Sequence, residues 1–188
     1  TSKPAFASPY SPSSREWLNP IYLDIEKVGA FTYNEQLKNW LAQPKIRQRI
    51  AALRVTETVI YTAVWACKCD ALHMAFNAFE QDTCEAAANE RAAFEAFVLE
   101  KGKALQGFGL FEALDQYYSR PGQVGWQSWP SEFHQPDGEA VEKFARSHER
   151  EIRFYMWLQW LCAEQLQEVN KAAAEYGVKL GIYGDLAV

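Results

Sequence analysis

One apolar, strand-like run stands near each end of this chain, Ile21–Ile25 and Val178–Tyr183, and the sequence between them is patterned for helix. A strand carries a row of backbone donors and acceptors that need partners, and two isolated runs do not make a sheet. The chain therefore cannot close an α/β fold by itself. It reads as a mainly α piece with the ends of an α/β architecture attached. The start at Thr1 without Met, and the stop at Val188 directly after a strand-like run, carry the same expectation of a piece from a longer protein. With 188 residues, 48% of them apolar, disorder is excluded for most of the chain. A compact chain of this length buries roughly 70% of its unfolded surface, enough for a real core.

Residues 1–20 are loop-like. Pro4, Pro9, Pro12 and Pro20 alternate with Ser8, Ser11, Ser13 and Ser14, which excludes helix and stiffens the backbone. Helical pattern begins at about residue 32, where Thr32 and Glu35 have capping-box spacing, and a short helix is expected through Leu41. Pro44 opens a second helix with Ile46, Ile50 and Leu53 on one face. A long amphipathic run follows from about 55 to 80, and Asp82 and Glu85 start another helix that Gly102 ends. A further helix spans Leu110 to Tyr118 and stops at Arg120-Pro121-Gly122. After a loop rich in Gly, Pro and Trp, Asp137 is placed to cap a helix from about 139 to 176, with a break near Ser147. Its stripe is Leu158, Leu161, Cys162, Leu166, Val169, Ala173 and Tyr176, and Gly177 terminates it. Three parts result: an extended segment over 1–30, a helical subdomain over 31–120, and a final loop, long helix and strand over 121–188.

The chemistry is sparse. The net charge is −5 and no basic stripe exists, so no nucleic-acid partner is expected. No apolar run reaches the ~18 residues of a membrane span, and no signal-peptide pattern is present, so a cytoplasmic location is expected. Cys67 and Cys69 would point roughly 200° apart on a helix, and His73, His134 and His148 are scattered, so no metal site and no cofactor are expected. Four irregularly spaced cysteines read as buried, reduced thiols. Gly107-Phe108-Gly109 lies in a helical stretch and is no phosphate loop. Glu85, Glu90, Glu95 and Glu100 read as a solvated helical face.

Two residues stand apart from these patterns. Asp185 follows the last strand-like run, where an α/β fold places its ligand crevice; the same position also suits a turn-capping Asp. Tyr10 sits on the Pro-stiffened loop, where it either stacks on the flat face of a sugar or plugs the loop onto the core. Trp126 and Trp129 invite the same comparison, whereas Trp157 and Trp160 fall in the helical stripe and read as packing.

Taken together, three blocks resemble the bacterial 4-α-glucanotransferases, also called amylomaltases or disproportionating enzymes. The first is Ser8-Pro9-Tyr10-Ser11-Pro12-Ser13-Ser14-Arg15 with Leu18-Asn19-Pro20-Ile21-Tyr22-Leu23-Asp24. The second is Trp126-x-x-Trp129-Pro130. The third is Gln159-Trp160-Leu161 and Gln165-Leu166, running on to Gly181-Ile182-Tyr183-Gly184-Asp185-Leu186-Ala187-Val188. The match runs through nearly the whole chain in order and is weakest between about 40 and 105.

The resemblance implies a fragment of a (β/α)₈ barrel of the α-amylase clan, from about strand two to strand three, with a helical insertion between them. It implies retaining transglycosylation between α-1,4-linked maltooligosaccharides. In this family the nucleophilic carboxylate, the acid/base Glu and a further Asp lie on later strands, beyond Val188, so no residue here is catalytic. Tyr10 matches the aromatic residue that stacks on the sugar beside the scissile bond. Asp185 matches the acidic residue at the end of strand three, and Ser8 contributes from the Tyr10 loop. The fragment alone is expected to be inactive, and its unpaired strand edges are expected to drive self-association. The rival reading is a non-catalytic helical module that binds glucan or a protein partner through the Trp126/Trp129 loop.

Overall fold

The structure, a computed structural model, describes residues 14–119, 125–178 and 180–182. The described residues are mostly helical and include no strand. The helices are α1 (Ala30–Tyr33), α2 (Glu35–Ala42), α3 (Pro44–Arg54), α4 (Tyr61–Gln81), α5 (Glu85–Tyr118), α6 (Glu139–Ser147) and α7 (Glu149–Glu175). No described helix is long and apolar enough to cross a membrane. The chain divides into two compact units: one takes in the chain up to Ala93 and from Gln159 onward, the other is Phe94–Leu158.

In the first unit the core is built on α4, which buries Trp65, Cys67, Ala71, Leu72, Ala75, Phe76 and Phe79. Phe76 stacks on Phe79, and Phe79 lies 6.0 Å from the Trp160 ring of α7. This helix starts at Tyr61, later than the periodicity suggests, and Val59 and Ile60 stand exposed before it. Its last carbonyl groups are met by Arg91, whose guanidinium donates to Phe79 O at 2.6 Å and to Asp82 O at 2.8 Å. A cation there also complements the negative end of the helix dipole. Pro44 occupies the first turn of α3 as expected.

Three local expectations are corrected. Ile21–Ile25 is not a strand: it forms two 3₁₀ turns, Pro20–Tyr22 and Ile25–Lys27. Asn19 Oδ1 accepts from Ile21 N–H and Asp24 Oδ1 from Glu26 N–H, so two short polar side chains cap turns where alternation suggested a strand. Thr32 is not the cap of α2: its hydroxyl donates to Gly29 O, and Asn34 caps α2 by accepting from Leu37 N–H. Asp137 does not cap α6, whose N-cap is Gly138 without a side-chain bond. At the other end of the chain, Gly177 ends α7 with the expected left-handed turn. Its N–H bonds Ala174 O, and Val178 N–H bonds Ala173 O, the two bonds of a Schellman motif. None of Val178, Leu180, Gly181 and Ile182 is in a strand.

The second unit holds the break in α5 at Gly102, whose φ of +56° no residue with a side chain adopts cheaply. Gly109 matters for the opposite reason, space: a Cβ there would meet Ile152 O at 2.8 Å, so α5 and α7 approach closely at this point. Leu105, Phe154, Trp157 and Leu158 are fully buried in this unit. The break near Ser147 separates α6 from α7, and Phe144 stacks on His148 across it.

Glu90 is half-buried and accepts a 3.0 Å hydrogen bond from the Tyr33 hydroxyl. Burial raises its carboxyl above the ordinary 4.5, more than the Tyr33 bond and the Arg91 charge lower it. Between 4.5 and the raised value the folded chain keeps a proton that the unfolded chain has released, so stability falls as pH rises through that window. Urea unfolding from pH 4.5 to neutrality is expected to show this fall in the native sequence. Glu90→Gln, which still accepts from Tyr33, is expected to flatten it; an unchanged slope would remove Glu90 as the cause.

Candidate functional site

Ser8, Tyr10 and Asp185 all lie outside the described residues, and so does Tyr183–Val188. What the structure describes is how the backbone just after the Tyr10 loop is held. Leu18 is gripped by Gln159 of α7: its N–H donates to Gln159 Oε1 at 3.0 Å, and Gln159 Nε2 donates to Leu18 O at 2.8 Å. Six residues on, Gln165 does the same to Asp24, accepting from its N–H at 2.8 Å and donating to its carbonyl at 2.9 Å. Between them, Lys68 of α4 donates to Ile21 O at 2.6 Å and to Leu23 O at 2.7 Å.

A primary amide carries one acceptor and one donor group, so it can pair with a backbone N–H and C=O as a neighbouring strand would. That pairing holds an irregular segment without a sheet. Gln159 is 2% exposed, and its buried amide would be costly without both bonds. Lys68 lies half-buried, and burial pushes its ammonium below the ordinary lysine range while Asp24 opposes the shift. Ile21, Leu23 and Val28 are buried along the same segment, and Tyr22 points out.

In the sequence Gln159 and Gln165 are parts of a motif with no task of their own. The signal available was a pair of amides on a helix rich in buried apolar residues, Phe154 to Cys162. Cys162, in that stretch, is a thiol that burial pushes up to about 12; none of Cys67, Cys69, Cys84 and Cys162 is in a disulfide. Among the described residues no group of His, Cys, Asp and Glu could hold a metal ion.

The tryptophans separate. Trp157 and Trp160 are buried packing residues. In the Phe94–Leu158 unit, Trp129 is buried against Phe111, ring centres 5.3 Å apart, whereas Trp126 is 44% exposed with its ring edge-on to His134. His134 Nε2 is 2.9 Å from Trp129 O, which ties the two indoles into one short loop.

Comparison with known proteins completes the picture. The sequence model of the 4-alpha-glucanotransferase family matches residues 1–188. The chain is 36% identical to a 4-alpha-glucanotransferase of Haemophilus influenzae, over 98% of this chain and 27% of that protein. It is 32% identical to one from Mycobacterium tuberculosis, over 100% of this chain and 24% of the relative. Among solved structures, amylomaltase from Corynebacterium glutamicum superposes with a TM-score of 0.68 at 30% identity, covering 96% of this chain and 22% of that one. The mostly helical structure thus fits a fragment of the amylomaltase fold. The chain belongs to the 4-alpha-glucanotransferase family, and it spans about a quarter of the length of these relatives.

The amide clamp makes a direct prediction. Gln159→Leu keeps the side chain's size but leaves Leu18 N–H and C=O without partners, and should cost about 1–3 kcal/mol in urea unfolding. Gln165→Leu breaks exposed bonds that water replaces and should cost less than about 1 kcal/mol. Equal costs would show that burial does not set the strength of the clamp.

Proposed function

We propose that this chain is part of an enzyme that moves α-1,4-glucan segments between maltooligosaccharides by retaining transglycosylation. The observation that carries the reading is the family match along all 188 residues, with identity of 36% to a 4-alpha-glucanotransferase over 98% of the chain. In such a reaction one carboxylate attacks the anomeric carbon and forms a glycosyl-enzyme, while a carboxylic acid protonates the departing glycosidic oxygen. The same residue then takes the proton from the acceptor's hydroxyl as that oxygen displaces the enzyme carboxylate. We assign neither carboxylate to this chain; both belong to the part of the enzyme beyond Val188.

On this reading the 1–30 segment is a barrel loop, 31–120 a helical insertion, and 121–188 a loop, barrel helix and third barrel strand of a (β/α)₈ barrel. Tyr10 stacks on the sugar ring beside the scissile bond, Asp185 faces that sugar from the end of the strand, and Ser8 adds a hydroxyl. Gln159, Gln165 and Lys68 are positioning residues: they fix the backbone from which the Tyr10 loop departs. The enzyme works in the cytoplasm and needs no cofactor.

An exposed apolar stripe supports the fragment reading. Leu166 and Val169 on α7, and Tyr176, Val178 and Leu180 just beyond its end, are exposed, with Tyr176 88% and Leu180 98% exposed. In a chain a quarter as long as its relatives, this is the face that the rest of the enzyme covers. The isolated chain is expected to self-associate through it.

Glucose release from maltotriose tests the proposal. The 188-residue chain should release none, and the chain extended through the remainder of its reading frame should be active. In that active form Tyr10→Ala and Asp185→Asn should each lower turnover by at least about tenfold with little change in thermal stability, the loss expected of groups acting on the transition state. Turnover by the 188-residue chain would place the chemistry on its own carboxylates and sink the assignment.

A further inference from the structure

The loop that carries Trp126 and Trp129 forms one wall of an open cavity of about 830 Å³ lined by residues of the Phe94–Leu158 unit alone. Sites for small ligands commonly fall between about 300 and 1,000 Å³. Phe111, Trp129 and Met156 are among its apolar lining residues, and the partly exposed Trp126 lines it as well. The charged groups around it balance: Lys103 and Arg153 against Asp137 and Glu149. Arg153 is in addition paired with Glu95 and lies over the Phe94 ring. A cavity built for a phosphate or another anion would show an excess of cations, and this one does not.

A ligand suited to this lining is neutral, offers a flat apolar face to an indole, and carries hydroxyls for a rim of mixed donors and acceptors. A pyranose ring has those properties. We propose that this cavity binds a glucan chain, with Trp126 as the stacking platform and the Lys103/Gln106 and Asp137/Glu149 rims bonding its hydroxyls. The choice of an α-1,4-linked glucan rests on the function proposed above; the choice of a sugar rests on the cavity.

Maltoheptaose titrated into the 188-residue chain, followed by tryptophan fluorescence and calorimetry, tests it. Saturable binding is expected, roughly tenfold weaker in Trp126→Ala and within about twofold of the native value in Trp126→Tyr, which keeps a stacking ring. Trp126 is exposed, so both variants should fold, and circular dichroism with a thermal melt verifies this. Absent binding overturns the proposal, as does binding that Trp126→Ala leaves within about twofold. Sedimentation velocity on the same samples adds a further contradiction: a dimer that Trp126→Ala dissolves would make the cavity an interface between copies. Transfer activity does not enter this readout, so failure of the cavity proposal and failure of the enzyme assignment appear in separate experiments.

Discussion

Six hydrogen bonds from three side chains hold the backbone between Leu18 and Asp24. Tyr10 and Ser8 precede that fixed stretch in the sequence. The devices are unlike a sheet ladder in origin but like it in chemistry. Each glutamine presents a donor and an acceptor to one residue, and Lys68 gathers two carbonyl oxygens. The arrangement carries a cost. Lys68 is held half out of water, which lowers its proton affinity, and Gln159 buries an amide that is tolerable only while both its bonds are made. Such a clamp ties α4 and α7 to the same short segment, and Ile21 and Leu23 are buried between the points of attachment.

Much of the helical architecture was legible because periodicity and punctuation agree. Pro44, Gly102, the break near Ser147 and Gly177 each mark a place where the backbone must change course, and the structure changes course there. The failures share one cause, which is that alternation and capping spacing describe a residue's own backbone and not its partners. Ile21 in, Tyr22 out and Leu23 in is the burial of a strand, yet a 3₁₀ turn produces it when Asn19 and Asp24 take the next N–H groups. Thr32 and Asn34 both suit a helix start, and the fold chose the one whose side chain reaches Leu37 N–H. The stripe expected on α7 is not one buried face: Phe154 to Cys162 are buried on every side of the helix, and Leu166, Val169 and Tyr176 beyond them are exposed.

The candidate site divides in the same way. Tyr10 and Asp185 stand out in the residues alone, each with a plain structural alternative, and Ser8 enters only with the motif resemblance. Gln159 and Gln165 were visible as letters of a motif, but their task depends on a segment 141 residues away in sequence. Trp126 and Trp129, three residues apart in one loop, could not be told apart without the fold. Phe111 buries one of them, and the other is left facing solvent beside His134. Membership of the 4-alpha-glucanotransferase family gives these features a common setting.

The amides of Leu18 and Asp24 test the clamp most directly, because each donates to a glutamine side chain and, among the described residues, to no backbone carbonyl. Native-state hydrogen exchange resolved at these two positions reads it without any mutation. If the clamp holds the segment, both amides exchange at least about a hundredfold more slowly than in a free peptide, with Leu18, gripped by the buried Gln159, the slower of the two. Exchange at the free-peptide rate, with the α4 and α7 amides still protected, would show that the segment is not fastened and that the Tyr10 loop has no fixed point of departure.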